Sequence, residues 1–200
     1  MRRFGVIILG LGLSACSVSP ATDAPVASTG SNASLSTPLL QPRGNLYSAG
    51  QPAASDWSAI AARGITTVIN LRPQTEMQGR DEASEVRAAG MDYVEIPVAD
   101  GASITADNAR KLHEAIASAN GRPVLVHCAS ANRAGGLLAL MAARHEGMGE
   151  AQALEFGRKA GMKSTEAAVR EALAEDRSRR GFSAPATQRS TTVQAVRRHA

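Results

Sequence analysis

Val124-Leu125-Val126-His127-Cys128-Ala129-Ser130-Ala131-Asn132-Arg133-Ala134-Gly135-Gly136 decides the reading of this 200-residue chain. Its opening residues are apolar, as in a buried strand. Small and polar residues follow, and Leu137 to Met141 then begins an apolar run of helical character. Strand, tight loop and helix start bring the unpaired amides of a first helical turn to one point, where the helix dipole also favours an anion. Cys128 opens this loop and Arg133 closes it. A field that holds an anion also suits a nucleophilic thiolate, and a guanidinium presents two parallel donors to a phosphate. A lone cysteine at a strand end is more often a small buried hydrophobe. Here the adjacent His127, the short loop and the closing Arg133 shift the balance towards chemistry. The loop has no glycine, so Asn132 is expected to take its left-handed position.

The flanking sequence alternates between strand and helix patterns. Leu46–Ala49 reads as a short edge strand, and Ser55 as the cap of a helix carrying Trp57, Ile60 and Ala61 and ended by Gly64. Thr66–Leu71 is a buried strand, 78–89 a charged helix stopped at Gly90, and Asp92–Val98 the next strand. Thr105 caps a helix with Ala109, Leu112, Ala115 and Ile116 on one face, and Pro123–Cys128 is the central strand. Helices over 133–146, 149–160 and 164–175 complete the domain. The expected class is α/β: a small, mostly parallel sheet flanked by helices in three layers, with its ligand beyond the carboxyl ends of the strands, where Cys128 falls.

The His-Cys pair, small-residue loop and Arg133 before a helix resemble the phosphate-binding loop of cysteine-dependent tyrosine and dual-specificity phosphatases. Leu46-Tyr47-Ser48-Ala49-Gly50-Gln51-Pro52 and Gly64-Ile65-Thr66-Thr67-Val68-Ile69-Asn70-Leu71-Arg72 are similar to the opening of a bacterial branch, the beta-lactamase-hydrolase-like phosphatases. The resemblance covers about 45–158. It implies the cysteine-dependent-phosphatase fold, Cys128 as nucleophile, a cradle of Ala129, Ser130, Ala131, Asn132 and Arg133 for the phosphoryl group, and a phosphorylated substrate. Asp100, in Ile96-Pro97-Val98-Ala99-Asp100-Gly101, resembles the family's general acid, although Asp-Gly is also a common turn pair. His127 is expected to orient the loop by hydrogen bonding. Two features depart from the phosphatase pattern: four residues instead of five separate Cys128 from Arg133, and Ala134 stands where a hydroxyl residue is usual. Ser130 is the loop's own hydroxyl. The short spacing keeps a rhodanese-like sulfurtransferase with a Cys128 persulfide in play, and Ala134 keeps a non-catalytic anion-binding lipoprotein.

Met1-Arg2-Arg3 followed by Phe4–Leu13 has the positive start and short apolar run of a secretory signal. Leu13-Ser14-Ala15-Cys16 resembles the lipobox of bacterial lipoproteins, which implies residues 1–15 as signal peptide and Cys16 as the lipid-modified first residue, anchored in the cell envelope. Ser17 after the cysteine suggests the outer membrane, facing the periplasm. Residues 16–43 are then a Ser-, Ala-, Thr- and Pro-rich tether, 44–176 the domain, and 177–200 a basic, disordered tail. With Cys16 acylated, Cys128 has no disulfide partner. Removing Arg2, Arg3 and the six arginines of the tail turns the net charge from +4 to −4, so nucleic acid is not an expected partner. His113 and His145 lack metal-ligand spacing, Arg72 is expected to pair with Asp81 or Glu82 near the site, and no metal or organic cofactor is called for.

Overall fold

The short apolar runs and amphipathic segments assemble into a five-stranded mixed sheet flanked by six helices in the computed structural model, which describes residues 35–182. In chain order the elements are β1 (Leu39–Arg43), β2 (Leu46–Ala49), α1 (Trp57–Ala62), β3 (Thr67–Asn70), α2 (Glu82–Ala88) and β4 (Asp92–Glu95). Then come α3 (Ala106–Ser118), β5 (Val124–His127), α4 (Asn132–His145), α5 (Glu150–Lys159) and α6 (Glu166–Phe182). The spatial order is β1-β2-β5-β3-β4, parallel except for β1. Both Ala49 and Asn70 stand beside His127, and Asn70 beside Glu95. Four strands therefore end together, and their following loops open at one edge of the sheet.

Alternation along β5 divides the interior into two cores. Val124 and Val126 pack with Leu112, Leu137, Leu138, Leu154 and Val169 from α3 to α6, whereas Leu125 packs with Trp57, Ile60 and Val86 from α1 and α2. The three layers expected from the sequence follow directly. Helix α4 is apolar around its whole circumference, and Ala134 to Ala142 are all buried, as a helix inside a core must be. Glycines let its neighbours approach: a Cβ on Gly135 would stand 2.3 Å from the Met162 amide nitrogen, and one on Gly157 2.7 Å from Ala139 Cβ.

Several boundaries differ from the sequence reading. Leu39–Arg43, assigned to the tether, forms the edge strand β1 in antiparallel pairing with β2, so β2 lies inside the sheet and not at its edge. Ser36 and Thr37 are tied down as well, donating to Asp56 and to Gln51 O. The charged segment starting at Gln78 becomes helical only at Glu82, because Gln78 and Gly79 adopt positive φ of 52° and 80° in the preceding turn and Asp81 caps the helix by accepting from the Ser84 amide. Ser55 lies within a 3-10 turn before α1, and Asp56 supplies the local carboxylate by accepting from Ala53 N at 3.1 Å. Helix α6 continues through the first arginines of the expected tail to Phe182. The signal peptide, Cys16, most of the tether and residues 183–200 lie outside the described residues. Among the described residues no helix is long and apolar enough to cross a membrane.

The contact of α4 with the α5–α6 loop yields a stability prediction. A methyl at Gly135→Ala meets backbone atoms that cannot rotate away, so the cost is expected at about 2 kcal/mol or more. In thermal unfolding this lowers the midpoint by roughly 4–8 °C.

Candidate active site

Strand β5 delivers Cys128 to the sheet edge with no accessible surface, its amide donating to Ala49 O at 3.4 Å. The loop then turns sharply. Gly50 bridges to Ser130 across the top of β2, Gln51 N donates to Ala129 O at 3.2 Å, and Ala129 and Ser130 are exposed. The left-handed residue is Ala131 (φ 67°), not Asn132. Asn132 is already the first residue of α4, and its side chain ties the loop to the α5–α6 connection: Oδ1 accepts from Lys163 N at 2.7 Å and Nδ2 donates to Ser164 Oγ at 2.8 Å. The first-turn amides of α4 lack intrahelical partners and are available as donors where the loop from Cys128 meets the helix. Ala134 is fully buried and brings no hydroxyl to the loop.

Arg133 extends over this volume, its side chain 12% exposed. Its Nη1 donates to Glu76 Oε1 and its Nη2 to Glu76 Oε2, both at 2.7 Å, while Nη1 also reaches Val98 O at 2.6 Å and Ala99 O at 3.2 Å. The Arg133 guanidinium is held above its ordinary value, first by the Glu76 hydrogen bonds and further by the Cys128 sulfur, which lies within its reach. In turn the Arg133 fork holds the Glu76 carboxyl below the usual carboxylate range, against a smaller opposing effect of burial. Arg72 does not pair with Asp81 or Glu82. It lies 3.4 Å from Glu76 Oε2 and donates to the Glu76 carbonyl and to Gln51 Oε1.

Behind the nucleophile, His127 is fully buried with Nε2 2.9 Å from Glu82 Oε1, and Glu82 is itself 1% exposed. Burial opposes ionisation of Glu82, but the His127 contact, a hydrogen bond from Gln51 Nε2 and the Arg80 charge outweigh it and hold the carboxyl low. The Trp57 ring meets the imidazole edge-on at 6.1 Å. Gln51 thus joins two halves of one polar chain, His127, Glu82, Gln51, Arg72, Glu76 and Arg133, which runs from the residue before Cys128 to the arginine that closes its loop. Glu76 and Gln51 escaped the sequence reading. The available signal was position: both follow strands that flank β5 and end at the same edge, and Glu76 stands four residues after Arg72.

Asp100 stands in the loop after β4, two residues beyond the Val98 carbonyl that Arg133 grips, so the structure places it beside the mouth. Its carboxylate accepts from Ser103 Oγ at 2.9 Å and Ser103 N at 3.0 Å. These bonds, first of all, and the Arg133 charge lower its pKa. The arrangement can hold a tetrahedral anion between loop amides and Arg133, place a sulfur beneath it and a carboxylate beside it. Among the described residues no group of three or more His, Cys, Asp or Glu could hold a metal ion. Removing the buried carboxylate is expected to be costly: Glu82→Leu takes away the acceptor for Gln51 Nε2 and the partner of Arg80, and should lower unfolding free energy by about 1–3 kcal/mol. Urea titration would measure this, with Glu82→Gln losing less.

Comparison with known proteins agrees with this geometry. The family model for the phosphatase-like domain of beta-lactamase hydrolase-like proteins matches residues 43–145, about half of the chain. The chain is 41% identical over 90 residues to the beta-lactamase hydrolase-like protein of Agrobacterium fabrum, a match that covers 43% of this chain and 20% of that protein. It therefore spans about a fifth of the length of the curated relatives it matches. Among solved structures, the phosphatase-like DUF442 protein of Shewanella putrefaciens is 30% identical with a TM-score of 0.55, over 68% of this chain and 89% of that one. The kinase associated phosphatase, at 15% identity, shares the fold with a TM-score of 0.59 over 72% of this chain and 95% of that one. The match runs from the end of β1 to the end of α4, and this chain belongs to the beta-lactamase hydrolase-like phosphatase family.

Proposed function

We propose that this protein is a cysteine-dependent phosphatase that hydrolyses phosphate monoesters through a cysteinyl-phosphate intermediate. The observation that carries the reading is a buried Cys128 at the end of β5, followed by a short loop into the N-terminus of α4, with the Arg133 guanidinium within reach of its sulfur. The amides of Ala129 to Arg133 hold the phosphoryl oxygens together with the Arg133 donors that Glu76 leaves free, Nε–H and the second Nη2 proton. Cys128 Sγ attacks phosphorus, the bond to the ester oxygen breaks, and Asp100 gives its proton to the leaving alcohol. Water then attacks phosphorus, the Asp100 carboxylate takes its proton, and the sulfur–phosphorus bond breaks to release inorganic phosphate and the thiolate. His127 fixes the base of the loop through Glu82. Ser130 is the hydroxyl available to assist departure of the thiolate in place of Ala134. By its lipobox-like Cys16 the protein would be lipid-anchored in a bacterial envelope, facing the periplasm.

In its resting hydrogen bonds Asp100 suits the second step, where a base is needed, better than the first. A bound phosphate brings negative charge beside Asp100, which favours its protonated form, and loss of the Ser103 bonds would do the same. For the full chain under reducing conditions, para-nitrophenyl phosphate hydrolysis is expected to vanish in Cys128→Ser. In Asp100→Asn, turnover of poor leaving groups should fall by about 10²–10⁴. Thiocyanate formation from thiosulfate and cyanide, dependent on Cys128, with no phosphate release would move the protein to sulfur transfer. Ser103→Ala removes a donor that stabilises the Asp100 carboxylate and so raises its pKa. The alkaline limb of the kcat/KM profile should therefore shift to higher pH, and an unmoved limb would remove Asp100 from the acid role.

A further inference from the structure

A second concavity begins beside the mouth. A groove of about 750 Å³ runs between the segment that follows Asp100 and one face of α6. At one end its walls are Gly101 and Ala102, directly after Asp100, and Ser164, whose hydroxyl accepts from the Asn132 side chain at 2.8 Å. A Cβ on Gly101 would stand 3.3 Å from Ala168 Cβ, so loop and helix close on each other there. From that contact the lining follows α6 through Ala168, Ala172 and Asp176, spaced i, i+4, i+8 on one helix face. The leaving group of the reaction lies on the side of Asp100, which protonates it. The groove therefore starts where the organic part of a substrate must go.

The far end is acidic and unsatisfied. The Asp176 side chain is only 8% exposed. Its Oδ1 accepts from Arg144 Nη2 at 2.6 Å, but its buried Oδ2 has no hydrogen-bond partner among the described residues. A buried carboxylate oxygen without a donor is costly, and it marks a position that a ligand can fill. Glu171 also lines the groove, is exposed, and makes no ion pair among the described residues. The other carboxylates are engaged: Glu175 lies 3.9 Å from Arg179, and Asp107 is held by Arg110 and Lys111. The uncommitted charge is thus negative and calls for a cation. With Oδ1 taken, Asp176 offers one oxygen. A guanidinium fork cannot engage it bidentately, whereas a compact ammonium on a slender stem can, its methylenes lying against Ala168 and Ala172. Ala168 and Asp176 are eight residues apart, about 12 Å along the helix axis, or roughly three to four extended residues. We propose that this groove is a substrate subsite, which takes the primary ammonium of a lysine about three to four residues from the phosphorylated residue of a polypeptide. The subsite presupposes the phosphatase reading above and deepens it, naming what the organic part of the substrate carries.

The test uses the full chain under reducing conditions and phosphotyrosine peptides otherwise built of alanine and glycine. Each carries lysine or norleucine about three or four residues before or after the phosphotyrosine. The best lysine peptide is expected to exceed its norleucine counterpart at least about tenfold in kcat/KM, as a bond to a charged group should. That ratio should fall about twofold or more in Glu171→Gln, whose carboxylate is exposed, and to near one in Asp176→Asn. Because Asp176 also holds Arg144, Ala172→Lys is a second variant that leaves this pair in place. Its own ammonium, one turn before Asp176, should fill the subsite and likewise bring the ratio to near one. Each ratio is taken within one enzyme, so a change in folded fraction cancels. Spermidine should compete with the lysine peptide and lower its rate. Equal stimulation of both peptides by spermidine would make a free amine the occupant and overturn the proposal. Equal rates for lysine and norleucine peptides at every spacing, or a ratio that survives both Asp176→Asn and Ala172→Lys, also sink it. So does hydrolysis of para-nitrophenyl phosphate with no peptide cleaved, and all three results leave the phosphatase reading intact. Phosphate release from neither the peptides nor para-nitrophenyl phosphate would overturn that reading and the subsite with it.

Discussion

The left-handed turn at Ala131 is the constraint on which the site depends. An alanine at φ 67° is strained relative to glycine, and it persists because the surroundings leave no alternative. Gly161, itself at φ 96°, comes so close that a Cβ there would lie 2.6 Å from the Ala131 methyl. The next residue, Asn132, is bonded to Lys163, Ser164 and Thr165. The connection between α5 and α6 thus clamps the loop from outside, and Ser48 Oγ, donating to Ala160 O at 2.9 Å, ties that connection back to β2. Relax the turn, and the first amides of α4 lose the position that this clamp gives them.

The clamp explains why the last two helices belong to the site although neither lines it. The bonds of Asn132 reach across more than thirty residues of sequence to hold the first turn of α4. The small residues of α4 and α5 make that contact close: Gly135 and Gly157 meet through their backbones. Packing, capping and chemistry here are one arrangement.

Much of this was legible in the sequence because it rests on local pattern. The alternation of β-branched runs with amphipathic segments gave the α/β class, and the strand–loop–helix stretch located Cys128 and Arg133. What escaped depends on contacts made across the fold. Leu39–Arg43 contains a proline and follows a tether-like composition, yet β2 offers it an open edge, where a proline is tolerated. Asn132 has the better intrinsic claim to a left-handed conformation, but its side chain is worth more as an acceptor for Lys163 and Thr165, so Ala131 takes the strain. Glu76 and Gln51 carry no motif of their own. Only the strand order β2-β5-β3 brings their loops to either side of the cysteine.

The complete burial of Cys128 has a consequence beyond phosphate chemistry. A sulfur with no accessible surface, at the floor of a short loop, is reached by small groups and turns away bulky ones. Thiol–disulfide exchange needs the attacking and departing sulfurs in line with the one under attack. Glutathione disulfide or an oxidoreductase cannot meet that geometry without opening the clamp on Ala131. The fold thus gives the Cys128 thiol kinetic shelter from mixed-disulfide formation and leaves it open chiefly to oxidants of peroxide size.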